Sequence, residues 1–179
     1  MKVLPCLGKI SKNQFRQVMK VRIKKTNEKA VVPYKNYAED FCYDVVATSE
    51  EEIAPNVWKY GIGLAFEIDE KRWLKVIEYP MQERFKLLAE AAYSIDFRPR
   101  SSVWKTGMVL SNSVGTIDDL YRGEVSAVFY HVFPNMPRYK VGDRIGQIKL
   151  GFTLPMEFEE VDELSDTERG DGGYGSTGR

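Results

Sequence analysis

One set of side chains, mostly apolar, recurs at every second position in three segments of this 179-residue chain. The segments are Val21 and Ile23; Ile62, Leu64, Phe66 and Ile68; and Val125, Ala127, Phe129 and His131. A period of two is typical of strands with one face toward a core. Glycines that can form turns separate these strands at short intervals: Gly107, Gly115, Gly123 and Gly142. The pattern predicts an all-β core of the sandwich or barrel type.

One segment has helical periodicity instead. Between Pro80 and Ala92 the apolar residues Met81, Phe85 and Leu88 fall on one helical face. We therefore predict a short inserted amphipathic helix at about residues 79–92. A second short helix is predicted from Ser11 to Lys20, with Ser11 as its cap.

The two ends of the chain differ from its middle. Residues 157–171 carry eight acidic side chains against Arg169 alone, and residues 170–179 include five glycines. The glycine-rich end cannot bury enough surface to offset its chain entropy, so we expect a mobile arm in the free protein. The predicted organisation is a barrel domain over 1–156, followed by an acidic linker and a glycine-rich arm over 157–179.

Composition excludes several classes of site. The 26 basic and 26 acidic residues balance, so no global charge draws the chain to nucleic acid or membrane. Cys6 and Cys42 lack the spacing of metal ligands, and His131 is the only histidine. No apolar run approaches the roughly 20 residues of a membrane span. We expect a cytoplasmic protein with reduced thiols, and neither nucleic acid nor membrane as a partner.

Arg98-Pro99-Arg100-Ser101-Ser102 places two guanidinium groups and two hydroxyls on a short, stiffened stretch. Arginine binds phosphate oxygens in bidentate fashion, and the serine hydroxyls add donors, so this segment could hold a polyphosphate. The alternative is an ordinary strand end with solvated arginines.

The segment from Ser111 to Glu124 combines Asn112, Asp118 and Tyr121 within one hairpin-like stretch. Its backbone could pair with a base edge, its aromatic ring could pack on a sugar, and Asp118 could orient an attacking water. The alternative is a polar turn with Asp118 in solvent.

Two further segments have similar potential. Gly142 to Gln147 carries a charged pair and a glutamine whose amide could contact phosphate, or it is an edge strand with a surface ion pair. In the tail, Arg169 to Gly178, glycine amides could surround an anion and Tyr174 could stack on a base, or the tail is simply disordered. No lysine follows the glycines, so the tail is not a P-loop.

Taken in order, Phe41-Cys42-Tyr43-Asp44-Val45-Val46-Ala47 and these four segments resemble the five motifs of the trimeric dUTPase family. The resemblance implies a jelly-roll-like, distorted β-barrel, a homotrimer with its sites at subunit interfaces, and dUTP as substrate. It also implies that Asp118 activates the water, that Tyr121 packs under deoxyribose, and that Asp44 lies near the shell of a metal ion. The implied substrate contacts are Arg100, Ser101, Ser102, Asn112, Gly115, Ile117, Tyr121, Gln147, Arg169, Tyr174, Gly175, Ser176 and Thr177.

The implied reaction is Mg²⁺-dependent attack of water on the α-phosphorus, which yields dUMP and pyrophosphate and limits uracil incorporation into DNA. The resemblance implies metal held by phosphates and waters, without direct side-chain ligands. A dCTP deaminase relative would want a glutamate in the strand from Val125 to His131, which has none. A regulatory nucleotide-binding protein on the same fold is the alternative from a different class.

Overall fold

Ten antiparallel strands form the fold in the computed structural model, which describes residues 19–69 and 92–172. The strands are β1 Val21–Lys25, β2 Tyr43–Val46, β3 Ser49–Ala54, β4 Val57–Gly61, β5 Leu64–Ile68, β6 Ala92–Arg98, β7 Met108–Leu110, β8 Gly115–Asp118, β9 Ser126–His131 and β10 Arg144–Thr153. A 3₁₀ helix, Ser101–Thr106, joins β6 to β7. The predicted all-β core is confirmed.

The strands make three sheets. Two have four strands, in the orders β2-β10-β6-β8 and β3-β4-β9-β7, and the third pairs β1 with β5. Most neighbours in a sheet are distant in sequence, so long-range pairing builds the fold.

Aromatic rings fill the centre of the core. Phe129 of β9 packs edge-on against Tyr60 of β4 at 5.9 Å, Phe97 of β6 at 6.4 Å and Tyr139 at 5.6 Å between centroids. Because Phe97 and Phe129 come from different four-stranded sheets, this cluster joins those sheets into one core.

The period of two has the expected meaning in β9, where Ala127, Phe129 and His131 are buried while Ser126 and Tyr130 are exposed. His131 is a packed strand histidine, and its Nε2 lies 3.0 Å from the carbonyl oxygen of Met136. The alternation therefore identified the inner face of this strand.

The predicted helix at 79–92 falls outside the described residues except at its last position. Ala92 begins β6 and pairs with Thr153, so the prediction is wrong there: sheet pairing decides the conformation of this residue. The predicted helix from Ser11 to Lys20 also lies almost wholly outside the described residues. Lys20, which is described, is not helical, and its carbonyl accepts a hydrogen bond from Asp69.

Beyond β10, residues 154–172 contain no strand or helix, and nearly all of them are exposed. Three large apolar side chains there, Met156, Phe158 and Leu164, are each more than 70% exposed. No helix in the described ranges is long and apolar enough to cross a membrane.

Candidate active site

Asp44 of β2 is a buried carboxylate held between two arginines. Its Oδ1 lies 3.2 Å from Nε of Arg100, and its Oδ2 lies 3.0 Å from Nη1 of Arg144. Asn36 also donates to Oδ2 at 3.4 Å. A carboxylate so paired orients both guanidinium groups while leaving their other N–H donors available.

A β-bulge in β10 brings Arg144 to this carboxylate. The pairing of β10 with β2 shifts between Arg144, opposite Val46, and Gly146, opposite Val45. In a regular strand the side chains at positions 144 and 147 would point to opposite faces of the sheet. Here Arg144 contacts Asp44, and Gln147 is the residue opposite Asp44 in the pairing of β10 with β2. The bulge therefore turns two polar side chains toward one carboxylate, a common use of bulges beside active sites.

The Phe97 ring leaves room only for a glycine at position 146, directly after the bulge. A Cβ built on Gly146 would lie 2.2 Å from Cζ of Phe97, which is itself in the core. No side chain fits between this backbone and the ring, so Gly146 lets β10 pass over the Phe97 ring.

Four predicted site residues line one pocket of about 310 Å³: Asp44, Arg100, Ser101 and Gln147. Tyr34, Lys35 and Asn36 form another part of its wall. The backbones of Tyr34 and Asp44 exchange two hydrogen bonds, which anchor the segment before β2 at the pocket. Sequence reasoning missed Asn36 and Arg144 as partners of Asp44, because the bridge at Tyr34 brings Asn36 there and the pairing of β10 with β2 brings Arg144 there.

Arg100 has an extended backbone and immediately precedes the 3₁₀ helix, so Ser101 and Ser102 lie on its first turn. The helix ends at Thr106 and is followed by Gly107, whose φ of 62° is left-handed and whose Cβ position would lie 2.8 Å from the carbonyl oxygen of Phe133. Arg98, the other arginine of the segment, is directed elsewhere, with its Nη2 3.7 Å from Asp96. Only one of the two arginines therefore lines the pocket.

The hairpin residues have a fixed local geometry. The Tyr121 hydroxyl donates to the Glu124 carbonyl at 3.0 Å, and its amide donates to the Asp118 carbonyl at 3.0 Å. The Tyr121 ring covers Gly123, where a Cβ would meet the phenol oxygen at 2.4 Å. Asn112 lies beside Gly115, with its Nδ2 3.4 Å from the Cβ position there. Ile117, also in β8, is half-buried against the core.

Asp118 lies away from the Asp44 pocket. It pairs with Ser94 of β6, whereas Gln147 pairs with Arg98, four residues further along the same strand. Four residues of strand span about 13 Å, and two strand spacings separate β8 from β10 by about 10 Å. A single chain therefore presents two separate groups of predicted site residues.

Asp118 instead borders a second pocket, of about 470 Å³, beside an ion pair between Asp96 and Lys149. Lys149 Nζ lies 2.9 Å from Asp96 Oδ2. Burial acts to raise the pKa of Asp96, but the hydrogen bond and charge of Lys149 hold that pKa below its ordinary value. Asp96 is therefore ionised, and its charge is matched by Lys149.

Arg169 makes its hydrogen bond within the tail, donating from Nε to the Gly172 carbonyl at 2.8 Å. Tyr174, Gly175, Ser176 and Thr177 lie outside the described residues. In the described ranges, no group of three or more His, Cys, Asp or Glu side chains could hold a metal ion.

Comparison with known proteins relates this chain to one family, the dUTPases. A model of the dUTPase family matches residues 87–178. The deoxyuridine 5'-triphosphate nucleotidohydrolase of Nautilia profundicola is 36% identical over 163 residues, which cover 90% of this chain and 100% of that protein.

Two solved phage structures share the fold. One is Staphylococcus bacteriophage 80alpha dUTPase with dUPNHPP, at a TM-score of 0.66 and 20% identity, covering 89% of this chain and 99% of that one. The other is a mutant dUTPase from phage phi11 of S. aureus, described with a structural Mg(II) ion, at a TM-score of 0.57 and 16% identity, covering 82% and 99%. These likenesses confirm the expected fold class.

Proposed function

The chain belongs to the dUTPase family, and on that basis we propose that it hydrolyses dUTP to dUMP and pyrophosphate. The observation that carries the proposal is the clamp of Arg100 and Arg144 on the buried Asp44. Two guanidinium groups fixed by one carboxylate present their remaining donors in a set geometry, which suits a polyphosphate. Ser101, Ser102 and the Gln147 amide add neutral donors.

Asp118 is the proposed base. Its exposed position at the end of β8 leaves room for a water molecule. Tyr121 is held over Gly123 by its hydroxyl bond to Glu124, and a ring fixed in this way can support a deoxyribose and exclude a 2′-hydroxyl. Asn112, with the backbone of Gly115 and Ile117, is proposed to contact uracil.

Mg²⁺ is the proposed cofactor, and the residues present fit a metal that the substrate phosphates carry. Both carboxylate oxygens of Asp44 are already paired with arginine, so Asp44 suits a contact to a metal-bound water better than a direct ligand. When bound, the ion would neutralise phosphate charge and polarise the α-phosphoryl group.

A homotrimer is the proposed assembly, because one chain leaves Asp118 and the Asp44 pocket apart. A second subunit could bring its hairpin to the pocket of the first. The exposed apolar side chains beyond β10 also need a partner surface, and an apolar groove of about 540 Å³ between β1 and β10 offers one.

We propose 1–156 as the barrel domain and 157–179 as a linker and arm that reach a neighbouring subunit.

The arm is proposed to close the site. Arg169, Ser176 and Thr177 would contact phosphates, Tyr174 would stack on the base, and Gly175 would let the backbone turn toward the anion. Because closure would order these residues, their contacts must offset the entropy that the arm loses.

The free Cys42 thiol fits our proposal of a cytoplasmic protein whose partners are dUTP and its own copies.

The test is release of pyrophosphate by the purified full chain with Mg²⁺ and dUTP, with dCTP, dTTP and UTP as controls. We expect turnover of dUTP alone. Ammonia release from dCTP would instead indicate the deaminase reaction. Nucleotide binding without any turnover would support the regulatory alternative, a role described for phage dUTPases in the transfer of virulence genes.

A further inference from the structure

The turn between β4 and β5, residues 61–63, is held in place by hydrogen bonds to other parts of the chain. The Gly61 carbonyl accepts the Thr48 amide at 2.8 Å, and the Gly63 carbonyl accepts the Thr26 amide at 2.9 Å. Gly63 has a φ of 68°, a left-handed conformation that favours glycine. The position of this turn in the fold is therefore fixed.

The Glu124 carboxylate reaches this turn from the end of the hairpin. Its Oε1 accepts the Gly63 amide at 2.9 Å, although the two residues are 61 positions apart. The same oxygen lies against the backbone of Gly61, where a Cβ would be only 2.3 Å away. Glycine at position 61 therefore leaves the space that the carboxylate fills. The proposed hydrolysis gives this side chain no role.

The main chain of Glu124 holds Tyr121. The Glu124 carbonyl accepts the Tyr121 hydroxyl at 3.0 Å. The same peptide unit is bonded to β5, because the Val125 amide donates to the Leu64 carbonyl at 2.9 Å. One hydrogen bond lets a peptide unit rotate about the axis of that bond, whereas a second bond away from the axis opposes the rotation. The carboxylate of Glu124, bound to Gly63, supplies such a second bond.

We infer that Glu124 is a positioning residue: its carboxylate, through the Gly63 amide, holds the Tyr121 ring where the ring excludes a 2′-hydroxyl. The inference rests on the proposed place of Tyr121 under deoxyribose. Tyr121 is 48% exposed, so packing alone holds its ring weakly and the hydroxyl bond to Glu124 matters for its placement. A ring that can move leaves space for ribose. Loss of the carboxylate contact therefore lowers the selectivity for deoxyribose more than the affinity for uracil or phosphate.

Selectivity is measured as the ratio of affinities for the imido analogues of dUTP and UTP, in which nitrogen bridges the α- and β-phosphorus and blocks hydrolysis. Calorimetry with the full chain and Mg²⁺ gives both affinities without turnover. Glu124→Ala removes the carboxylate, and Glu124→Asp keeps the charge but is one methylene shorter. Glu124→Gln keeps an acceptor oxygen at full length. Glu51→Ala is the matched control, since Glu51 is an exposed glutamate on β3.

We expect the parent to prefer the dUTP analogue. Glu124→Ala and Glu124→Asp should each lower this preference about tenfold, mainly through tighter binding of the UTP analogue. Glu124→Gln and Glu51→Ala should keep it. Tyr121→Phe should lower the preference as well, and Glu124→Ala should add little to it in a double variant, because both act through one ring. Thermal melts check that each variant is folded, and Glu124→Asp decides the question if Glu124→Ala unfolds.

Parental selectivity in Glu124→Ala and Glu124→Asp would overturn the inference, and would show that the main-chain bonds of Val125 to Ile62 and Leu64 suffice. An equal loss of affinity for both analogues would also contradict it, because a general loosening of the hairpin would have that effect. A parent that binds the dUTP analogue selectively but releases no pyrophosphate from dUTP would contradict the proposed hydrolysis alone. A parent that binds neither analogue, or both equally, would overturn the inference together with the role of Tyr121.

Discussion

Arg144 Nη1 lies 3.0 Å from Asp44 Oδ2, and this contact exists because β10 has a bulge between Arg144 and Gly146. The ion pair joins residues 100 positions apart and fixes one of the two guanidinium groups proposed to bind phosphate. We therefore expect a substitution of Asp44 to change the affinity for substrate more than the rate of the chemical step.

Asp44→Asn should raise the KM for dUTP about tenfold or more, because both arginines lose the charge that orients them. Turnover at saturating dUTP should fall less. Steady-state kinetics measure both parameters, and circular dichroism checks the fold. Arg98→Gln is the control, since Arg98 lies outside the pocket. A kcat loss with an unchanged KM would contradict this role.

Asp118→Asn should lower kcat by about a thousandfold, within the usual range for loss of a general base. Binding of a non-hydrolysable dUTP analogue should stay near that of the parent, because an amide keeps the shape of the side chain. Calorimetry and pyrophosphate release give the two readouts. The neighbouring variant Asp119→Asn should keep its activity; equal losses in both variants would indicate damage to the turn.

Gly146→Ala should destabilise the fold by about 1–3 kcal/mol, the usual cost of overpacking, because the new methyl group meets the Phe97 ring. Phe97→Val shortens that ring to a branched side chain and makes room for the methyl. In a double-mutant cycle by urea unfolding, the double variant should be more stable than the sum of the single effects predicts. Strict additivity would show that the close approach is unimportant.

Stability should depend on pH through Glu50 and Arg138. The hydrogen bond and charge of Arg138 lower the pKa of Glu50 below its ordinary value of 4.5. The contribution of the pair is therefore fully present above that value and is lost as the pH falls through the lowered pKa. Glu50→Gln should lower Tm at pH 7, and the difference from the parent should close toward pH 3. A constant difference across this range would exclude the ionised pair as its cause.

Deletion of residues 170–179 should reduce kcat/KM at least about 100-fold, because several phosphate donors and the exclusion of water are lost together. The assembly should survive, since apolar contacts of residues 154–164 are proposed to hold it. Analytical ultracentrifugation and steady-state kinetics provide the two measurements. The milder variant Arg169→Gln should retain the assembly and lose part of the activity. A deletion variant that keeps near-parental kcat/KM would exclude closure by the arm.

The sequence by itself determined the fold class and the inner face of its clearest strand. In β9 the alternation of Ala127, Phe129 and His131 is local, and a strand's geometry converts it directly into a buried face. Short motifs likewise placed Asp44, Arg100, Ser101 and Gln147 as candidates, and the structure brings these four into one pocket. Local patterns of this kind can be recognised without knowledge of strand pairing.

Only the tertiary structure decided which residues meet. Arg144 reaches Asp44 through a bulge that no local pattern signals, and Asn36 reaches it through the backbone bridge at Tyr34. Strand pairing also places Asp118 opposite Ser94, four residues along β6 from Arg98. It puts Ala92 in a strand, although the spacing of apolar residues had suggested a helix there. Register between distant strands depends on how whole faces pack against the core, which a window of sequence does not contain.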